Sequence, residues 1–98
     1  MRLLLLLLLA GCATEADFAR QAGTSAPNFP RLYVYTADVK SACIAAGARY
    51  APGDIVHGCS DPWGRLTPKH CTVFLPHDAP TWLVEHEDLH CKYGNFHN

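Results

Sequence analysis

The chain has 98 residues, 49% hydrophobic and 17% charged, with a formal net charge of −1. That length accommodates one small domain, and the near-neutral charge without a basic run excludes nucleic acid as a partner. With two Trp, four Tyr and four Phe the chain is also too aromatic to be disordered, and its informative excess is five cysteines and six histidines.

Met1 and Arg2 precede a leucine run from Leu3 to Leu9, the pattern of a positive n-region and an h-region. The run is shorter than the about 20 residues that span a bilayer, so it reads as a targeting segment. The following Leu9-Ala10-Gly11-Cys12 resembles the bacterial lipobox. That resemblance implies a signal peptide over residues 1–11, cleavage before Cys12, lipidation of the Cys12 thiol and attachment to a membrane through it. With Ala13 rather than Asp next, the lipoprotein sorting rule implies a lipid anchor in the cell envelope, on the periplasmic face of the outer membrane. Residues 12–98 must then build the core, and Cys43, Cys59, Cys71 and Cys91 form an even set in an oxidising compartment. Two disulfides are expected, each contributing about 2–4 kcal/mol to a domain small enough to need staples.

Residues 12–30 show no sustained period, and Gly23, Thr24, Ser25, Pro27 and Pro30 punctuate them, so they read as a lipidated N-terminus and flexible tether. Residues 31–98 then form the single domain. Arg31 to Thr36 is rich in β-branched and aromatic residues and predicts a strand. Thr36 is placed to cap a helix over residues 37–46, whose Val39, Ala42, Cys43 and Ala46 follow helical spacing, and Gly47 stands where a left-handed residue ends it. After Pro52-Gly53, Asp54 to Ser60 predicts a short strand that a turn at residues 61–64 separates from a second strand, His70 to Leu75. Four cysteines allow three pairings, and a bridge closing this hairpin connection favours Cys59–Cys71 with Cys43–Cys91. Pro76 ends the strand, Asp78 can cap and Pro80 fits the first turn of a helix running to about Tyr93, with Gly94 behind it. The fold class is α+β, a small disulfide-stapled domain in the order strand–helix–hairpin–helix.

The last predicted helix carries His86-Glu87-Asp88-Leu89-His90, an HExxH motif. Side chains four apart share a helix face, so the two imidazoles can converge on one ion while Glu87 sits roughly 100° round. In projection Trp82, Leu83, Leu89 and Tyr93 share the arc of the histidines, which should face inward. The run resembles the zincin metallopeptidases, and the resemblance implies Zn2+ as cofactor, His86 and His90 as ligands and Glu87 as general base. A glutamate ligand of the gluzincin kind has no source, since no acidic residue follows His90. The metzincin pattern HExxHxxGxxH is approached by Gly94 and His97 with one extra residue before the glycine, but the methionine turn is missing because the only methionine is Met1. His97 is the expected third ligand, with His77 and Asp78 as its substitutes. His57 and His70 read as exposed loop or strand residues, and Tyr50 or Tyr93 could polarise a carbonyl. As in zincins, the strand Cys71 to Leu75 would offer its open edge around Val73 to an extended peptide.

The function expected from these features is a membrane-tethered, zinc-dependent metallopeptidase-like hydrolase of the cell envelope, acting on a peptide or protein substrate. The alternative is a non-catalytic envelope lipoprotein that binds a metal or a partner, distinguished by a closed coordination shell with no place for water. Phosphate-binding glycine loops and a G-x-S-x-G elbow are both missing from the sequence, which removes nucleotide and serine-hydrolase chemistry.

Overall fold

Arg31-Leu-Tyr-Val-Tyr forms strand β1 (Arg31–Tyr35), as its β-branched and aromatic content requires. In the computed structural model, which describes residues 25–94, it is followed by helix α1 (Val39–Ala45), strands β2 (Cys59–Asp61) and β3 (Cys71–Leu75), and helix α2 (Thr81–Tyr93). Over these residues the chain forms a small α+β domain with one three-stranded sheet, two helices and two disulfides. The signal segment, Cys12 and His97 lie outside the described residues. Among the described residues no helix is long and apolar enough to cross a membrane.

The strand order is β1-β3-β2, with β1 parallel and β2 antiparallel to β3. β3 is therefore the central strand. This corrects the expectation of an open edge around Val73, because both edges of β3 are hydrogen-bonded and the free edges belong to β1 and β2. Along β3, Cys71, Val73 and Leu75 pack with Leu83 and Cys91 of α2, so that period-two alternation turns Thr72 and Phe74 to the other face.

β2 is shorter than the strand expected over residues 54–60, and its register explains why. Cys59 pairs with Phe74, so residue 57 would have to pair with Pro76, which has no N–H to donate. The ladder stops there, and the chain from Pro52 to Gly58 runs as an irregular wall beside α2.

The cysteines pair as Cys43–Cys59 and Cys71–Cys91, correcting the expected Cys59–Cys71 and Cys43–Cys91. The same register gives the reason. Cys59 stands opposite Phe74, on the face of α1, whereas Cys71 belongs to the alternate set that faces α2. Two side chains on opposite faces of a sheet cannot be bridged. The loops closed span 16 and 20 residues, so each bridge contributes about 3 kcal/mol.

Helix α1 starts later than Thr36 suggests. Asp38 is its cap: one carboxylate oxygen accepts from the Ser41 N–H at 3.1 Å and the other from the Ser41 hydroxyl at 2.8 Å. Thr36 instead accepts the Asp38 N–H at 3.3 Å, forming the turn before the helix. Gly47 follows with φ 107°, as its place after the helix predicts.

Candidate functional site

Helix α2 begins at Pro80, which caps it through backbone geometry without a side-chain hydrogen bond, and not at Asp78. Leu83, Glu87, His90 and Cys91 form its buried stripe, an i, i+4, i+7, i+8 pattern facing β3 and β2. Trp82, expected on that stripe, is 61% exposed, whereas Cys91 is fully buried, with its disulfide holding it against β3. On a separate face Asp88 accepts hydrogen bonds from the Tyr33 hydroxyl at 2.7 Å and from Arg31 Nε at 3.4 Å, and its carbonyl accepts Arg31 Nη2 at 3.1 Å. The helix is thus fixed to the sheet both covalently and through β1.

Gly94 closes the helix. Its N–H donates to the His90 carbonyl at 2.7 Å, and its own carbonyl accepts His90 Nδ1–H at 2.9 Å. A carbonyl can only accept, so Nδ1 carries the proton and Nε2 of the neutral ring carries the lone pair. An imidazole whose Nδ1–H is held by a backbone carbonyl has the tautomer that metal-binding histidines use. Gly94 takes φ 79°, and a Cβ there would stand 3.2 Å from the Trp63 ring, so both its backbone and its surroundings require glycine. The His86 and His90 rings lie edge to face with centroids 4.9 Å apart.

Glu87 is 4% exposed. Its Oε1 accepts the Ser60 hydroxyl at 2.7 Å, and the same hydroxyl lies 3.1 Å from the Glu87 carbonyl oxygen. Its Oε2 lies against Gly58, where a Cβ would be 3.3 Å away and also 3.1 Å from the Phe74 carbonyl. The glycine allows the chain to pass directly over the carboxylate. Burial pushes the Glu87 carboxyl up to about 6, partly opposed by the Ser60 hydrogen bond and reinforced by the Asp88 charge.

Above Glu87 opens a cavity of about 310 Å³ whose lining includes His86, His90, His57 and Tyr50. Burial and the Glu87 charge raise the Tyr50 pKa, keeping its hydroxyl protonated. A second cavity, about 160 Å³ on the α1 side, includes Asp61 and Arg65 in its lining and, among the described residues, no imidazole.

The structure thus brings together His86, Glu87, His90 and Tyr50. Cys43, Cys59, Cys71 and Cys91 are all in disulfides. His77 and Asp78 are exposed in the turn before α2, and His70 bonds through Nδ1 to the Pro68 carbonyl, away from this site. Sequence reasoning missed Ser60, Gly58 and the inclusion of His57 in the wall. The strand prediction over residues 54–60 held the signal for Ser60, since alternation places Ser60 and Cys59 on opposite faces.

No known family, curated protein or solved structure matches the chain. Among the described residues no group of three or more His, Cys, Asp or Glu side chains is placed to hold a metal ion. The zincin resemblance therefore does not hold as an identification. The described site supplies two imidazoles, and neither His77 nor Asp78 joins them. The lipobox resemblance finds no family match either, and its residues lie outside those described.

Proposed function

We propose that the cavity over Glu87 is a hydrolytic site for an amide bond of a peptide or protein substrate, and that the domain works in an oxidising compartment of the cell envelope. The observation that carries this reading is a buried carboxyl, pushed up to about 6, at the floor of an open cavity beside two imidazoles. A proton-transfer group is most effective with a pKa near the working pH, and a carboxyl perturbed by burial in a cleft is a candidate for that role. The reading rests on this chemistry and not on kinship with any peptidase family. Two disulfides support the compartment.

The donor set suits zinc in kind, with two imidazoles of which one has its Nδ1 proton held by the Gly94 carbonyl. His86 and His90 would hold the ion together with donors from beyond the described residues or from solvent. When bound there, zinc supplies Lewis-acid polarisation of the substrate carbonyl. Glu87 takes a proton from the attacking water through Oε2 while Ser60 holds Oε1 in place. Water oxygen adds to the carbonyl carbon, the C–N bond breaks, and Glu87 passes the proton to the departing amine. Tyr50, kept protonated, donates a hydrogen bond to the oxygen on which negative charge develops.

Incubating the zinc-supplemented protein with a quenched-fluorescent peptide library tests this function. Cleavage by the native chain, reduced by about 100-fold or more in Glu87→Gln, is the expected result. Equal cleavage by both proteins, or none by the native chain, contradicts it.

A further inference from the structure

The lip of this cavity carries two large apolar side chains left in water. Ile55 is 82% exposed and Trp82 61%, and both line the cavity beside His86 and Glu87. Neither belongs to the apolar core, which consists of Cys71, Val73, Leu75, Leu83 and Cys91. The Trp82 indole is oriented by the His57 ring, edge to face with centroids 6.4 Å apart. Tyr50, Val56 and Leu83 continue the wall inward, and among the described residues no Lys, Arg or Asp is part of it. Among the described residues the one acidic side chain in the lining is Glu87.

We propose that this cavity receives one uncharged aromatic or branched aliphatic side chain of the substrate, held between Trp82 and Ile55, and that these two residues set the specificity of the site. This rests on the hydrolytic reading above and adds the substrate class to it. The volume of about 310 Å³, at the lower end of small-molecule pockets, admits one large side chain together with its adjoining backbone. Covering the two exposed apolar faces removes them from water, which favours an apolar occupant over alanine. A charged side chain, acidic or basic, must lose its hydration among Ile55, Val56 and Trp82, and none of these supplies a compensating counter-charge. The backbone of the occupied residue then lies over His86 and Glu87, where its amide bond can react.

Binding and cleavage are read separately, so that the two proposals fail separately. The Glu87→Gln protein, which should not turn substrate over, is titrated with the N-acetyl amides of phenylalanine, leucine, alanine, aspartate and lysine while the indole resonance of Trp82 and the ring resonances of His57 are followed by NMR. Phenylalanine and leucine amides should shift both sets of resonances and bind at least roughly tenfold tighter than the alanine amide. Trp82→Ala and Ile55→Ser, both at exposed positions, should abolish that preference without altering the melting temperature appreciably. In the native protein the same two variants should lower kcat/KM for peptides with an aromatic residue at the cleaved bond and leave alanine peptides nearly unchanged. Binding at Trp82 without any cleavage would support the pocket and refute the hydrolytic reading. Cleavage with no aromatic or aliphatic preference, tighter binding of the lysine or aspartate amide, or no shift at Trp82 with any amide would overturn the pocket assignment.

Discussion

Glu87 should make the folded domain less stable than a neutral side chain would, and the size of that effect follows from its surroundings. Its carboxyl is shifted from an ordinary value near 4.5 up to about 6, chiefly by burial. One unit corresponds to about 1.4 kcal/mol, so the ionised form at neutral pH is disfavoured in the fold by about 2 kcal/mol. A folded-state pKa above the unfolded one means that the stability is fully present below pH 4.5. It is lost as the pH rises through about 6. Glu87→Gln keeps the side-chain shape and a partner for Ser60 but never ionises. Chemical denaturation with the disulfides intact and EDTA present, followed by circular dichroism between pH 4 and 7.5, isolates the effect. The stability of the variant relative to the native protein should grow by about 2 kcal/mol across that range, worth roughly 10 °C in melting temperature for a domain of this size. Any constant offset from the amide cancels in the pH dependence. A difference between the two proteins that stays flat with pH, or that falls, would refute the placement of a buried, destabilised carboxylate at this position.

Replacing Cys71 and Cys91 together with serine should cost about 3 kcal/mol or more, measured as a lowered denaturation midpoint, because the bridge closes a 20-residue loop and joins α2 to the central strand. Gly58→Ala should destabilise the domain by roughly 1–3 kcal/mol in the same assay, since the added methyl meets the Phe74 carbonyl at 3.1 Å and Glu87 Oε2 at 3.3 Å and neither is free to retreat. Tyr33, raised to about 12 by burial and by its hydrogen bond to Asp88, should titrate late, and its contribution to stability should be lost as the pH rises from 10 through 12; tyrosinate absorbance of native protein against Tyr33→Phe reads this directly.

The elements that could be read from the chain were those whose pattern is local. β1 and β3 announce themselves by β-branched and aromatic runs, and α2 by its spacing and by Gly94 at φ 79°. Cysteine pairing could not be read because it depends on register, a property of two strands together: one residue of slip exchanges the faces on which Cys59 and Cys71 lie. The truncation of β2 depended on Pro76 in its partner, again a feature of the pair. Within the site, His86, Glu87 and His90 were legible because helix geometry alone brings them near one another. Ser60 and Gly58 reach Glu87 only through tertiary packing, and Gly58 in isolation looks like any loop glycine. Trp82 was misplaced on the buried arc because an aromatic beside an apolar stripe is normally part of it, whereas here the space above it is the mouth of the cavity.

Zinc stoichiometry at equilibrium tests the central claim most directly. The oxidised full chain, purified without a metal-binding tag, is dialysed against excess zinc beside His90→Ala, and metal and protein are quantified together. The account predicts about one zinc per native chain and its loss from the variant, since His90 is the imidazole whose tautomer the Gly94 carbonyl fixes. No zinc in the native chain, or the same content in both proteins, would contradict a metal-assisted site at α2.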